Sequence, residues 1–276
     1  MAYDLDASTL LALNRHGVLF KKRVLRDLRS LQHLDLVGEE VGVTFGGTRV
    51  LDMLFRANFR EQKRLVFSIE CKKVQNAHWV FFQDTETRFR TSRDIRDGRT
   101  GSAISLRWDQ DPFCCSDGYE LREKDGKHHA DQDPLFKAAS QLSYAFLGFV
   151  KRRLKESRKV EEVKGWTERH IPVLITNAEL FVAPSDYAAV SLQTGEQIGE
   201  WKMSPVDVLA LNHPSPSPGE QEDFREESEL DTWNHLFKET IWIVNSSALG
   251  SFFSQNRCEE LVELNIALLA DENSKL

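Results

Sequence analysis

The strongest constraint in this chain is a pair of apolar runs, each carrying a carboxylate where a core residue is expected. The first reads Thr48-Arg49-Val50-Leu51-Asp52-Met53-Leu54-Phe55 and the second Leu65-Val66-Phe67-Ser68-Ile69-Glu70-Cys71-Lys72-Lys73. Both are of strand length and rich in β-branched and aromatic residues, with a polar connecting loop at 57–63. They predict two neighbouring strands. Residues i and i+2 of a strand share a face, so Ser68, Glu70 and Lys72 point one way and Phe67, Ile69 and Cys71 the other. Antiparallel pairing of the two runs brings Asp52, Glu70 and Lys72 to one sheet edge.

Two carboxylates and an ammonium on one face have a chemical use. Carboxylates are hard oxygen ligands suited to Mg²⁺. Such an ion neutralises a phosphate oxygen and lowers the pKa of a bound water. A lysine beside it orients that water or stabilises developing charge. The plain alternative is an ion pair on a solvated strand. Glu-x-Lys also occurs at Glu162/Lys164 and Glu200/Lys202, but there without a strand-like run and an aspartate-bearing strand upstream.

Asp52 followed by Glu70-Cys71-Lys72, each on a strand, resembles the PD-(D/E)XK, or restriction-endonuclease-like, nuclease superfamily. The resemblance covers roughly residues 15–185. It implies an α+β fold with an αβββαβ core, a central mixed sheet flanked by helices, and here C-terminal strand and helix additions. It implies a phosphodiester-cleaving enzyme acting on DNA with Mg²⁺ or Mn²⁺, in restriction or anti-phage defence. Asp52, Glu70 and Lys72 would be catalytic. Asp52, Glu70 and the carbonyl of Cys71 would hold the metal. The chain departs from the family pattern in two places. Leu51 replaces the motif proline, and the glutamate that many members carry on the first helix falls near Lys21 or Lys22. Glu39 and Glu40 are the acidic residues available to replace it.

Charge is distributed unevenly. The whole chain is net −7, but residues 1–160 hold 29 Lys and Arg against 22 Asp and Glu, while residues 161–276 hold 7 against 21. A basic half containing the carboxylate pair fits a polyanionic partner; two ordinary solvated surfaces would give the same count. The N-terminus has no secretory signal pattern and no run reaches membrane-spanning length, so a cytoplasmic protein without membrane attachment is expected. The four cysteines, Cys71, Cys114, Cys115 and Cys258, form no disulfide framework. Adjacent Cys114-Cys115 with His128-His129 lacks zinc-ligand spacing.

Phe20, Val24, Leu28 and Leu31 predict an amphipathic helix over 17–35. A strand at 41–45, a hairpin turn at Gly46-Gly47 and a third strand at 78–82 follow from the same patterning. Residues 83–133 read as a polar insertion, with a further strand at 104–108. Arg88, Arg90 and Arg93 within it, together with Lys73, are candidate substrate contacts. Asp133-Pro134 opens a long helix with a buried stripe at Leu135, Ala139, Leu142, Phe146 and Phe149. Gln141 on this helix is a further candidate for substrate contact. Residues 171–175 predict a central strand, 178–182 another, and 187–201 a peripheral hairpin. The nuclease-like domain then spans 1–205, a Pro/Ser-rich and acidic linker 206–235, and a strand with helices 236–276. Leu261, Leu264 and Leu268 leave open whether the last helix packs on the core or forms a homo-oligomer. An activating protein partner is a further expectation. The second functional reading is a non-catalytic nucleic-acid-binding or interaction subunit that keeps the fold; a third is a scaffold with no nucleic-acid affinity.

Overall fold

The computed structural model describes residues 17–44, 47–83, 89–96, 99–105, 113–124, 127–157, 166–183, 191, 193–194, 202–214 and 238–263. Helix α1 (Val18–Arg29) buries Val24, Leu25 and Leu28. It ends at Arg29 rather than near 35, because β1 begins at Asp35 and is longer than expected. Strands β1 (Asp35–Thr44), β2 (Thr48–Asn58) and β3 (Lys63–Lys72) form an antiparallel meander. Thr44 pairs with Thr48, so three residues make the hairpin connection, not two. Gly47 there has φ 121°, a value side-chain-bearing residues rarely adopt. Phe45 and Gly46 lie outside the described residues.

Helix α2 (Asp133–Ser157) buries the whole expected stripe. At its start the Asp133 N–H donates to Asp131 Oδ1 at 2.9 Å, so one of the N–H groups without a partner inside the helix is met from upstream. The helix crosses back to β9 (Thr167–Thr176), which runs parallel to β3 from Lys63↔Thr167 to Lys72↔Thr176. A parallel neighbour requires such a crossover. Ile171, Val173, Leu174 and Ile175 are all buried, as a strand covered on both faces demands.

The segment that reads as a polar insertion is largely strand. It contributes β5 (Phe89–Arg96), β6 (Arg99–Ser105), β7 (Phe113–Lys124) and β8 (Lys127–Asp131). β6 includes residues 104 and 105 of the 104–108 strand expected; residues 106–108 lie outside the described residues. With β4 (Ala77–Gln83), β10 (Glu179–Ala183), β11 (Ser204–Val206), β12 (Val208–Pro214) and β13 (Lys238–Asn245) they complete a mixed sheet. Its order is β1-β2-β3-β9-β13-β12-β7-β4-β10-β11, with β5 also pairing β9 and β6, and β8 pairing β7. Residues 208–214, expected within a linker, thus lie between β13 and β7, with Leu209, Ala210 and Leu211 buried. The rest of that linker and most of the predicted hairpin at 187–201 lie outside the described residues.

The fold is mixed α+β, with helices flanking a large mixed sheet. On one side α2 packs over Leu51, Leu54, Val66 and Leu174. On the other, α1, α3 (Leu249–Phe252) and α4 (Gln255–Glu263) pack over Met53, Phe55, Phe67 and Ile69. Leu261 joins this second layer, so the start of the C-terminal stripe packs on the core; Leu264 and Leu268 lie outside the described residues. Arg169 fastens α4, donating to Leu261 and Val262 carbonyls and to both oxygens of Asp94. No helix among the described residues is long and apolar enough to cross a membrane. All four cysteines are free. Cys114-Cys115 and His128-His129 fall at opposite ends of β7 and its partner β8.

The starting end of β3 and β9 is held by a charged knot. Glu168, 2% exposed, accepts from Arg64 Nη1 at 2.6 Å and from Arg153 Nε and Nη2 at 3.2 and 2.8 Å. His170 Nε2 lies 3.5 Å away. Burial opposes ionisation of Glu168, but His170 and Arg153 outweigh it and hold the carboxyl well below its usual range.

Candidate functional site

The site forms at the other end of β3. The β2–β3 ladder runs from Asn58↔Arg64 to Met53↔Ile69. One step further lie Asp52 and Glu70, and there a side chain takes over from the backbone. Asp52 Oδ2 accepts the Cys71 N–H at 2.8 Å. The burial pattern of β2 shows why Asp52 points sideways. Leu51 and Leu54 face α2, whereas Met53 faces α1, so strict alternation breaks at Asp52. Across from it, between the pairs Glu39↔Met53 and Val41↔Leu51, sits Glu40 with a left-handed φ of 50°.

Lys21 fills the gap between them. Its ammonium lies 2.8 Å from Asp52 Oδ1 and 3.1 Å from Glu40 Oε1. Lys21, Leu25 and Leu28 share one helical face. Burying the two leucines therefore aims the lysine at the sheet edge. Burial pulls its pKa down, but the two carboxylates prevail and raise it. Glu39 is engaged elsewhere, with Lys22 and Arg29. Glu40 thus meets the site through Lys21.

Glu70 is buried, 8% exposed. Its Oε1 accepts from Gln141 Nε2 of α2 at 2.9 Å, while Oε2 has no hydrogen-bond partner. Burial, followed by the charge of Asp52, pushes its carboxyl up to about 8; Lys21 and Lys72 oppose this without cancelling it. Lys72, half-buried at the end of β3, acts on Glu70 through its charge. Just beyond, Asn177 brackets Val74, accepting its N–H at 2.7 Å and donating to its carbonyl at 3.0 Å. This fixes the chain as it leaves Lys72. The Cys71 thiol belongs to the opposite face, against the second core layer, where burial raises it well above its ordinary value.

Asp52, Glu70 and Gln141 therefore lie together at the end of β3, and Lys72 reaches Glu70 through its charge. Lys73 lies one residue past β3, against Gly17 at the start of α1. Arg93 pairs with His170 on β9, four residues before Leu174, the partner of Glu70. That is roughly 13 Å along the strand, so Arg93 enters the sheet away from the carboxylates. Arg90 lies on the same strand, paired with Ile104. Arg88 lies outside the described residues. Lys21 and Arg49 escape sequence reasoning as site residues; only Lys21 gives a signal, through the missing helix glutamate.

Among the described residues, no group of three or more His, Cys, Asp and Glu side chains forms a ready metal cluster. No family model matches the chain, and comparisons with curated proteins and with solved structures likewise found no match.

Proposed function

We propose that the protein is a metal-dependent nuclease that hydrolyses phosphodiester bonds in DNA, in restriction or anti-phage defence. The observation that carries this reading is Glu70: a buried carboxylate beside Asp52 and Lys72, with one oxygen lacking any partner. Helix α1 with the antiparallel β1–β3, and helix α2 leading into β9 parallel to β3, also support a restriction-endonuclease-like core, with the five strands β4–β8 inserted before α2.

The donor set suits a hard divalent cation such as Mg²⁺ or Mn²⁺. Asp52 and Glu70 would hold it with the Cys71 carbonyl. The bound ion would neutralise a phosphate oxygen and make its water more acidic. The chain's own groups have separate tasks. Gln141 fixes the orientation of Glu70, Lys21 holds Asp52 in an ion pair, and Lys72 holds the attacking water or the charge that develops on phosphate.

The test is nicking of supercoiled plasmid with Mg²⁺, Mn²⁺ or EDTA. The wild type should cut only with metal, and Glu70→Ala and Lys72→Ala should each lose roughly a hundredfold or more, the scale of one electrostatic catalytic group. Equal cutting by all three proteins would remove Glu70 and Lys72 from the chemistry. The second reading, a non-catalytic nucleic-acid-binding subunit, draws on Lys21: an ammonium already neutralises Asp52. It requires that the wild type neither cuts nor binds metal.

That same ammonium gives a separate prediction. A cation entering beside Asp52 must compete with Lys21. Lys21→Met should therefore raise Mn²⁺ affinity, measured by titration calorimetry, by roughly three- to tenfold, which is about 1 kcal/mol. Unchanged or weaker binding would show that the lysine does not compete.

A further inference from the structure

A groove of about 400 Å³ runs between the start of β2 and the outer face of α2. Arg49, Asp133, Phe136, Lys137, Gln141 and Tyr144 are among its lining residues. Gln141 joins it to the catalytic end of β3, since the same side chain donates to Glu70. The groove and the carboxylates are thus one continuous surface.

The lining is unusual in its charge. Arg49 stacks over Tyr144, its guanidinium carbon 5.2 Å from the ring centroid. Its Nε has no hydrogen-bond partner, and no carboxylate pairs with Arg49 among the described residues. Among the described residues Lys137 pairs only with Asp133 at 3.0 Å, both side chains being largely exposed. Such a pair is weak and readily exchanged for another anion. At the other end Phe136 lies 5.5 Å from the ring of His213, and His213 Nε2 lies 3.0 Å from Ser140 Oγ, which fixes the floor. A held guanidinium without an acid suits a phosphate, because its fork accepts two oxygens. Aromatic faces beside it suit an unpaired base, since every base has a π-face. A volume of about 400 Å³ accommodates a single nucleotide.

We propose that this groove seats one nucleotide of a single DNA strand, next to the phosphate that is cut. Arg49 holds its phosphate, and Tyr144 and Phe136 flank its base. The inference rests on the nuclease reading and names which form of substrate the site engages.

The test is fluorescence anisotropy of a labelled single-stranded oligonucleotide in EDTA, where cleavage cannot occur. Wild type, Arg49→Ala, Arg49→Lys and Tyr144→Ala are compared, with thermal melts to confirm folding. Arg49→Ala should weaken binding roughly tenfold and lower the salt slope by about one. Tyr144→Ala should weaken it by a similar factor without changing the salt slope, because stacking releases no counterion. Arg49→Lys should recover the slope but not the full affinity, since an ammonium does not stack or fork. A wild type that does not bind the strand, or folded variants that bind it as the wild type does, would overturn the groove. Binding that depends on Arg49 in a protein that takes up no Mn²⁺ would uphold the groove and remove the nuclease reading. Metal-dependent cutting with strand binding indifferent to Arg49 and Tyr144 would do the reverse.

Discussion

Glu70→Gln is expected to stabilise the metal-free protein while abolishing cleavage. The reason is the cost of an ionised carboxylate in this position. Glu70 titrates at about 8 when folded, against an ordinary 4.5. The folded state therefore binds this proton more tightly than the unfolded state. Stability from this group is unaffected below about 4.5, falls as pH rises from there to about 8, and stays low above it. A tenfold difference in proton affinity between the two states is worth about 1.4 kcal/mol, so the full penalty above pH 8 is several kcal/mol. Glutamine is the neutral analogue, and its amide oxygen can still accept from Gln141. In EDTA the variant's advantage in a denaturant titration should be small near pH 5 and grow to several kcal/mol at pH 8.5. Adding Mn²⁺ should narrow the gap, because an ion that binds only the folded wild type stabilises it by mass action. An advantage that does not change with pH would mean that Glu70 titrates normally and is not desolvated.

Glu168→Ala is expected to destabilise the fold by roughly 3–5 kcal/mol, the cost of breaking a buried ion pair from one side. The carboxylate draws in Arg64 from β3, Arg153 from α2 and His170 from its own strand. Removing it takes the carboxylate from the partly buried Arg64 and leaves Arg153 with only the half-exposed Glu156. Its carboxyl is depressed in the folded state, so the stabilisation is present above about 4.5 and is lost as pH falls toward the folded value. The difference between wild type and variant should therefore shrink in strong acid. Arg64 also lies over the Trp166 ring, 4.5 Å from its centroid, so the part of the emission change that Trp166→Phe removes is a local readout. A loss below about 1 kcal/mol at pH 7 would show that the knot is solvent-screened and acts as a surface pair does.

Much of the site is legible in the sequence because its parts lie on elements with strong patterns. The runs around Asp52 and Glu70 announce strands, and Asp133-Pro134 with its leucine and phenylalanine stripe announces α2. Periodicity then places Glu70, Lys72 and Gln141 on definite faces. What escapes are contacts between distant segments. Nothing local joins Lys21 to Asp52, or Arg49 to Tyr144; those pairs exist because α1 and α2 pack on opposite sides of the same strands. The segment over 83–133 misleads for a different reason. Its strands carry Arg, Asp, Ser and Gly in place of long apolar runs. β12 is hidden by its neighbours: Pro214 and the Pro/Ser run that follows it suggest a linker, although Leu209 to Leu211 are core.

The position of β13 bears on how such a chain can be assembled during synthesis. It is the last described strand to leave the ribosome, yet it lies between β9 and β12 and joins the two parts of the sheet. Until residues 238–245 emerge, the β1-β2-β3-β9 portion and the β12-β7-β4 portion each present an unpaired strand edge. Open edges of this kind invite pairing with other chains. Non-local closure of a sheet is also slow compared with helix formation. The carboxylate site, built on β2 and β3, can therefore take shape well before the sheet that supports it is closed, and the interval between the two is when this protein is most exposed to aggregation.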